Sequence, residues 1–133
     1  MTHAIAPLLK RFLSHYMPVQ KGHSKNTVCA YRDGIKLLLC YVADTLRKSV
    51  DELNIEDVTE KVVLGFLDYI QQQRGCTAST RNARLAAIRS LFAFIARENP
   101  ELVLQAQQIR TLARKRTEHK TIEYLEEKEM QTV

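Results

Sequence analysis

Ser79-Thr80-Arg81-Asn82-Ala83-Arg84-Leu85-Ala86-Ala87-Ile88-Arg89-Ser90-Leu91-Phe92-Ala93-Phe94 decides the fold class of this chain. Leu85, Ile88, Phe92 and Ile95 recur at three- and four-residue steps, the period of one apolar helix face. Ala86, Ala87 and Ala96 fill in beside them. The helix begins near Thr77 or Ser79 and closes at the Asn99-Pro100 step. Its opening is polar and cationic. The first turn of a helix carries free backbone N–H groups and a partial positive charge, so it favours anions. Arg81 and Arg84, with Ser79, Thr80 and Asn82 as shorter donors, add what a phosphate or a guanine edge would need. Arg89 lies one to two turns deeper and suits a phosphate or a pairing with a neighbouring helix.

A second stretch repeats the pattern. Ser24-Lys25-Asn26-Thr27 precedes Tyr31-Arg32, and Ser24 is a good N-cap. Val28, Tyr31, Ile35, Leu38, Leu39 and Val42 give this helix its stripe. Lys25, Thr27 and Arg32 are candidate DNA contacts, with Lys21 and His23 just ahead of them for backbone phosphates. The plainer reading of either stretch is a solvated, ordinarily capped helix start. Finding two in one small basic chain favours a DNA-gripping surface. Tyr31 shares the spacing of Val28 and Ile35 and reads first as core. Gly34 sits mid-helix at a cost of about 1 kcal/mol relative to Ala, which close packing of another backbone would explain.

The remaining pattern is helical too. A first helix is expected over residues 3–17, on Ile5, Leu8, Leu9, Phe12, Leu13 and Tyr16, ended by Pro18 and Gly22. A third starts at Thr59 and carries Val62, Val63, Phe66, Leu67 and Ile70. A fifth is expected over residues 101–112, with a less clean stripe. Residues 45–58 are polar and irregular, with a short turn near Ser49–Leu53. No strand signal has weight. The expected fold is all-α, a compact bundle of four to five helices. Residues 1–112 form its domain, 113–123 a basic extended linker with Arg114, Lys115 and Arg116 for phosphates, and 124–133 the cut-off opening of another helix.

Composition narrows the function. Apolar residues make up 45% of the 133, enough for a core. The net charge of +5 is unevenly spread: +6 over residues 1–48, −5 over 49–73, +7 over 74–116 and −3 over 117–133. Two basic blocks bracketing an acidic one favour a polyanion on one face, with the acidic third helix turned away. Cys29, Cys40 and Cys76 show no paired spacing, which argues against a disulfide framework, and Cys29 and Cys40 read as small core residues. The scattered histidines and cysteines lack metal-ligand spacing, so neither a metal nor another cofactor is expected. No apolar run approaches the length of a membrane span and no secretory signal opens the chain, which makes the cytoplasm the default.

These stretches resemble the N-terminal core-binding, SAM-like domain of the tyrosine recombinase (phage integrase) family. The family opens its second helix with Ser-x-x-Thr and a Tyr four residues on, as in Ser24-Lys25-Asn26-Thr27-Val28-Cys29-Ala30-Tyr31. Its fourth helix opens with a similar motif, then Arg, Leu and a run ending in aromatics, as in Ser79 to Phe94. Tyr124-Leu125-Glu126-Glu127-Lys128-Glu129 resembles the point where the catalytic domain begins. The resemblance implies half of a clamp on duplex DNA at a recombination half-site. It also implies other protomers in a tetrameric synapse, and a catalytic domain, with its tyrosine nucleophile, lying beyond this chain. Tyr16, Tyr31, Tyr41, Tyr69 and Tyr124 are outside that constellation, and the isolated piece would be monomeric and without catalysis.

The competing reading is a helical protein–protein interaction domain, whose basic blocks meet an acidic partner. A stand-alone enzyme has little support, since no nucleophile elbow, Gly-rich phosphate loop or metal triad is present. Glu126, Glu127 and Glu129 read as the acidic first turn of a helix.

Overall fold

The structure is a computed structural model that describes residues 2–113. Among them are five α-helices and no strand: α1 (Ile5–Arg11), α2 (Lys25–Leu46), α3 (Glu60–Gln72), α4 (Ala78–Glu98) and α5 (Val103–Arg110). The chain folds as the all-α bundle that its apolar periods call for.

The first helix does not end where a proline would be expected to end it. α1 passes into a π-helical stretch, Phe12–Gln20, with Pro18 inside. The wider turn carries the path to Gln20, where the Lys21 N–H donates to the Tyr16 carbonyl at 2.9 Å, five residues back. Five-residue spacing buries Phe12 and Met17 together and leaves Leu13 and Tyr16 half-buried.

α2 starts as its sequence requires. The Ser24 hydroxyl accepts the Thr27 N–H at 3.2 Å. Ile35, Leu38, Leu39 and Val42 are buried, while Val28 and Tyr31 are half-buried. Cys40 is exposed and Cys29 half-buried, because both fall off that stripe; neither is a core residue. The helix ends on Arg47 in the left-handed region (φ 57°), with the Lys48 N–H on the Ala43 carbonyl at 3.0 Å.

Residues 45–58 are more ordered than their polarity suggests. Two 3₁₀ turns, Val50–Glu52 and Ile55–Asp57, are locked by side chains reaching back: Glu52 accepts the Ser49 N–H at 3.1 Å and Asp57 the Asn54 N–H at 2.9 Å. This bend buries Leu53, Ile55 and Val58 and holds the N-terminal segment beside it. The Ile55 N–H donates to the His3 carbonyl at 2.7 Å and the Ile5 N–H to the Leu53 carbonyl at 3.2 Å.

Thr59 caps α3, accepting the Val62 N–H at 3.2 Å. Val63, Phe66, Leu67 and Ile70 face inward. At Gly65 the Tyr41 hydroxyl stands 2.8 Å from where a β-carbon would be, so glycine lets α2 and α3 approach.

α4 is the central helix and packs against α2, α3 and α5. Leu85, Ala87, Ile88, Leu91, Phe92, Phe94 and Ile95 are all buried, so it is apolar on more than one side. Burying a Leu, Ile or Phe side chain contributes about 1.5–3 kcal/mol, so these residues make α4 a large contributor to the core. After the Pro100–Leu102 turn, α5 returns along α4 with Ala106 and Ile109 buried. The Gln105 amide pins it, donating to the carbonyls of Ile55 at 2.7 Å and Val58 at 2.8 Å. Val103 and Leu104 project outward, which is why the fifth stripe reads poorly in sequence.

Candidate nucleic-acid interface

The two polar helix starts are the same device in a shifted register. The cap of α4 is Thr77, whose hydroxyl accepts the Thr80 N–H at 3.1 Å. Ser24 on α2 therefore corresponds to Thr77, not to Ser79. In both, a cap hydroxyl also meets the threonine three residues on: Ser24 with Thr27 at 3.0 Å, Thr77 with Thr80 at 3.2 Å. Thr27 and Thr80 thus serve their own helix ends first. Ser79 sits exposed within the first turn of α4.

That register explains which arginine reaches the surface. Arg81 lies four residues before Leu85, on the same inward face, and is only 4% exposed. Among the described residues, its Nε and Nη1 have no hydrogen-bond partner. Asn82 is equally buried at 4%. These two expected surface contacts are therefore inside the bundle. The spacing Arg81-Leu85-Ile88-Phe92-Ile95 carries that signal.

Arg84, three residues on, runs across α2 at Gly34. A β-carbon there would stand 3.1 Å from Arg84 Cδ and 3.3 Å from Nη1. The close neighbour of Gly34 is thus a side chain, where the sequence suggests a backbone. α2 and α4 meet at this point. The start of α2 lies alongside the middle of α4: Lys21, His23 and Tyr31 line a groove of about 230 Å³ with Ser90 and Ala93. The two helix starts do not lie side by side.

Around that groove the chemistry is cationic and aromatic. The Tyr16 and Phe94 rings meet at a tilt with their centres 4.7 Å apart, and the Tyr31 ring lies 6.2 Å from that of His23. The Arg97 guanidinium sits 5.6 Å from the Tyr16 ring centre and Lys21 Nζ 6.0 Å from it. A ring face within about 6 Å attracts a cation through its quadrupole, without supplying a counter-charge. Ser90 and Ala93 also line a second groove, of about 350 Å³, with Arg89, Gln107, Arg110 and Thr111. The two grooves flank one ridge of α4. Arg97 and Arg110 are members of this surface that the helix-start motifs do not reveal, because they lie at helix ends remote from either motif.

Lys25 and Arg32 are exposed on α2, and Arg32 Nε stands 3.7 Å from the neighbouring Asp33. Lys21, Lys25, Arg84 and Arg89 make no ion pair within the described residues. Several carboxylates are committed elsewhere. Asp57 pairs with Lys48 at 3.0 Å, Glu98 with Arg11, and Glu56 and Glu101 with His3 at 2.6 and 2.9 Å. Burial pushes the Asp57 carboxyl up, but the Asn54 N–H and Lys48 outweigh it and hold it below the ordinary value. Arg114, Lys115, Arg116 and the segment from Tyr124 lie outside the described residues.

No group of side chains among the described residues is placed to hold a metal ion, and no helix among them is long and apolar enough to cross a membrane. Residues 9–99 match the family model described as phage integrase, N-terminal SAM-like domain. The chain is 34% identical over 126 residues to the putative integrase/recombinase y4rD of Sinorhizobium fredii (strain NBRC 101917 / NGR234), covering 95% of this chain and 45% of that protein. It is 33% identical over 122 residues to the putative integrase/recombinase y4rC of the same strain, covering 92% of this chain and 37% of the relative. The chain thus spans less than half the length of these curated relatives. No solved structure matches it. With a match across most of its helices and an all-α bundle to go with it, the chain belongs to the phage integrase family and carries its N-terminal SAM-like domain.

Proposed function

We propose that this domain binds duplex DNA at a recombination half-site, as the N-terminal half of a clamp in a tyrosine-type site-specific recombinase. The single observation that carries the reading is the gathering of cations along one ridge of α4, with Lys21 on one of its two flanking grooves and Arg89 and Arg110 on the other. Among the described residues Lys21, Lys25, Arg84 and Arg89 make no ion pair, while Glu56, Asp57, Glu98 and Glu101 each make one. Family membership supplies the context, since both relatives are described as integrase/recombinase.

In this reading Lys21, Lys25 and Arg89 contact backbone phosphates. Arg84, steadied over Gly34, takes a phosphate or a guanine edge, with Arg32, Thr27, Ser79 and Thr80 as flanking donors. Arg81 and Asn82 are buried at the start of α4 and do not reach the duplex directly. Residues 1–112 form the binding domain, residues 113–123 with Arg114, Lys115 and Arg116 a basic tether across the backbone, and residues 124–133 the opening of a catalytic domain. Strand exchange, its tyrosine nucleophile and assembly into a tetrameric synapse belong to that larger protein. The domain alone is a monomeric, non-catalytic DNA binder, acting in the cytoplasm.

The test is duplex binding across a salt series, with Arg84→Ala beside the wild type and Lys61→Ala on α3 as a control. Each phosphate contact contributes about 0.9 to the slope of log affinity on log salt. The reading requires a steep slope and weaker binding by Arg84→Ala only. Absence of duplex binding at low salt, or equal losses in both variants, overturns it.

A further inference from the structure

We propose that the groove between α4 and α5 is a phosphate site that takes a backbone phosphate of the bound duplex, with Arg110 and Arg89 as its cations. The site extends the DNA contact to α5, a helix outside both helix-start motifs, and it rests on the DNA-binding reading above. Arg89, Ser90, Gln107 and Arg110 line the groove, which has a volume of about 350 Å³, and no carboxylate among the described residues lines it. Neither arginine makes an ion pair within the described residues. The acids at the turn between α4 and α5 are taken: Glu98 pairs with Arg11 and Glu101 with His3.

A simpler role for Arg110 would be to complement the C-terminal end of α5, where a cation is favourable. Two observations weigh against that being all. Three of the last carbonyls already have donors: Gln107 accepts from the Thr111 N–H at 3.1 Å and from its hydroxyl at 3.0 Å, Gln108 from the same hydroxyl at 3.2 Å, and Ile109 from the Leu112 N–H at 3.2 Å. And Arg89, in the interior of α4, has no helix end to complement, yet lines the same groove. Two like charges over one open concavity repel, and a doubly hydrogen-bonded phosphate oxygen pair removes that repulsion while matching guanidinium geometry. The Ser90 hydroxyl and the Gln107 amide supply neutral donors. The groove shares Ser90 and Ala93 with the one that holds Lys21 and His23, so one backbone can run over both.

Two measurements on the 133-residue chain decide it. The first is the salt slope of duplex affinity for wild type and Arg110→Gln, on two duplexes of unrelated sequence. The slope should drop by about 0.9 in the variant, equally for both duplexes. The second follows amide chemical shifts during titration with inorganic pyrophosphate. Saturable shifts at Ser90, Gln107 and Thr111, lost in Arg110→Gln, are expected. Wild-type duplex binding with an unchanged slope in Arg110→Gln overturns the site and leaves the DNA reading standing. Pyrophosphate shifts with no duplex binding at all overturn DNA as the occupant, and with it the DNA reading. A thermal melt of Arg110→Gln matching wild type separates either result from misfolding.

Discussion

Arg84 lies across α2 at Gly34, its Cδ 3.1 Å from the place a β-carbon on residue 34 would take. Glycine there is the reason a long cation from one helix can rest on the other. Gly34→Ala removes the helix penalty of glycine, about 1 kcal/mol, and asks a flexible side chain to move. Stability is therefore expected within about 1 kcal/mol of wild type, with duplex affinity falling severalfold in the same direction as Arg84→Ala. In the double variant the two losses should not add, since both act through one guanidinium. Additive losses would show that Gly34 does not set the position of Arg84.

The cap register makes a prediction about stability alone. Thr77→Ala removes the acceptor of the Thr80 N–H and is expected to cost about 1 kcal/mol, as is Ser24→Ala on α2. Ser79→Ala should stay within about 0.5 kcal/mol of wild type, because Ser79 is exposed inside the turn. Urea unfolding of the three variants checks this. A larger loss at Ser79 than at Thr77 would put the helix start two residues later than the hydrogen bonds do.

Arg81 is a buried cation with Nε and Nη1 unpartnered among the described residues. A charge removed from water without a partner weakens a fold, and an apolar side chain of similar length relieves it. Arg81→Met is expected to raise the unfolding free energy by about 1 kcal/mol, read by urea or thermal unfolding without DNA. A clear loss of stability would mean that the guanidinium contributes more to holding the start of α4 than its missing hydrogen bonds indicate.

The N-terminal segment is clipped by a histidine between two carboxylates. His3 Nδ1 meets Glu56 at 2.6 Å and Nε2 meets Glu101 at 2.9 Å, and the His3 N–H donates to Glu56 at 2.9 Å. The Glu56 hydrogen bond, then that of Glu101, hold the imidazole above its ordinary value of 6.5. For Glu56, burial pushes upward, but the ring and backbone N–H of His3 prevail and hold it below 4.5. A raised histidine stabilises the fold fully below its unfolded value, and that contribution fades as pH rises through the higher folded value. A lowered glutamate contributes above its unfolded value and fades as pH falls through the lower folded one. Stability should therefore peak between these two ordinary values and decline toward alkaline pH. His3→Gln is expected to flatten the alkaline decline. An identical pH profile in that variant would remove His3 as its source.

Much of this fold is legible in the sequence, and the exceptions have physical causes. The apolar periods of α2, α3 and α4 give the bundle because each stripe must find a partner surface. Ser24 and Thr59 announce their helices through the cap chemistry of short hydroxyls. The first helix runs past its expected end, since the rule about prolines assumes an α-helical turn and Phe12–Gln20 is wider. Arg81 reads as a surface cation when a charge is weighed by its type; its phase relative to Leu85 is what places it inside. Arg97 and Arg110 escape the motifs for a different reason. What marks them is proximity to Tyr16 and to Arg89, and proximity across helices is not written in any local motif.

The Gln105 amide reaches from α5 to the carbonyls of Ile55 and Val58, two acceptors on one bend. A helix tethered at a single bond could pivot; one held by two hydrogens of the same planar group cannot turn about its own axis without losing both. The clasp works like a two-pin bracket. It fixes the heading of α5, so the Arg110 end of that helix is held in register with the acidic bend as well as with the ridge of α4 along which it packs.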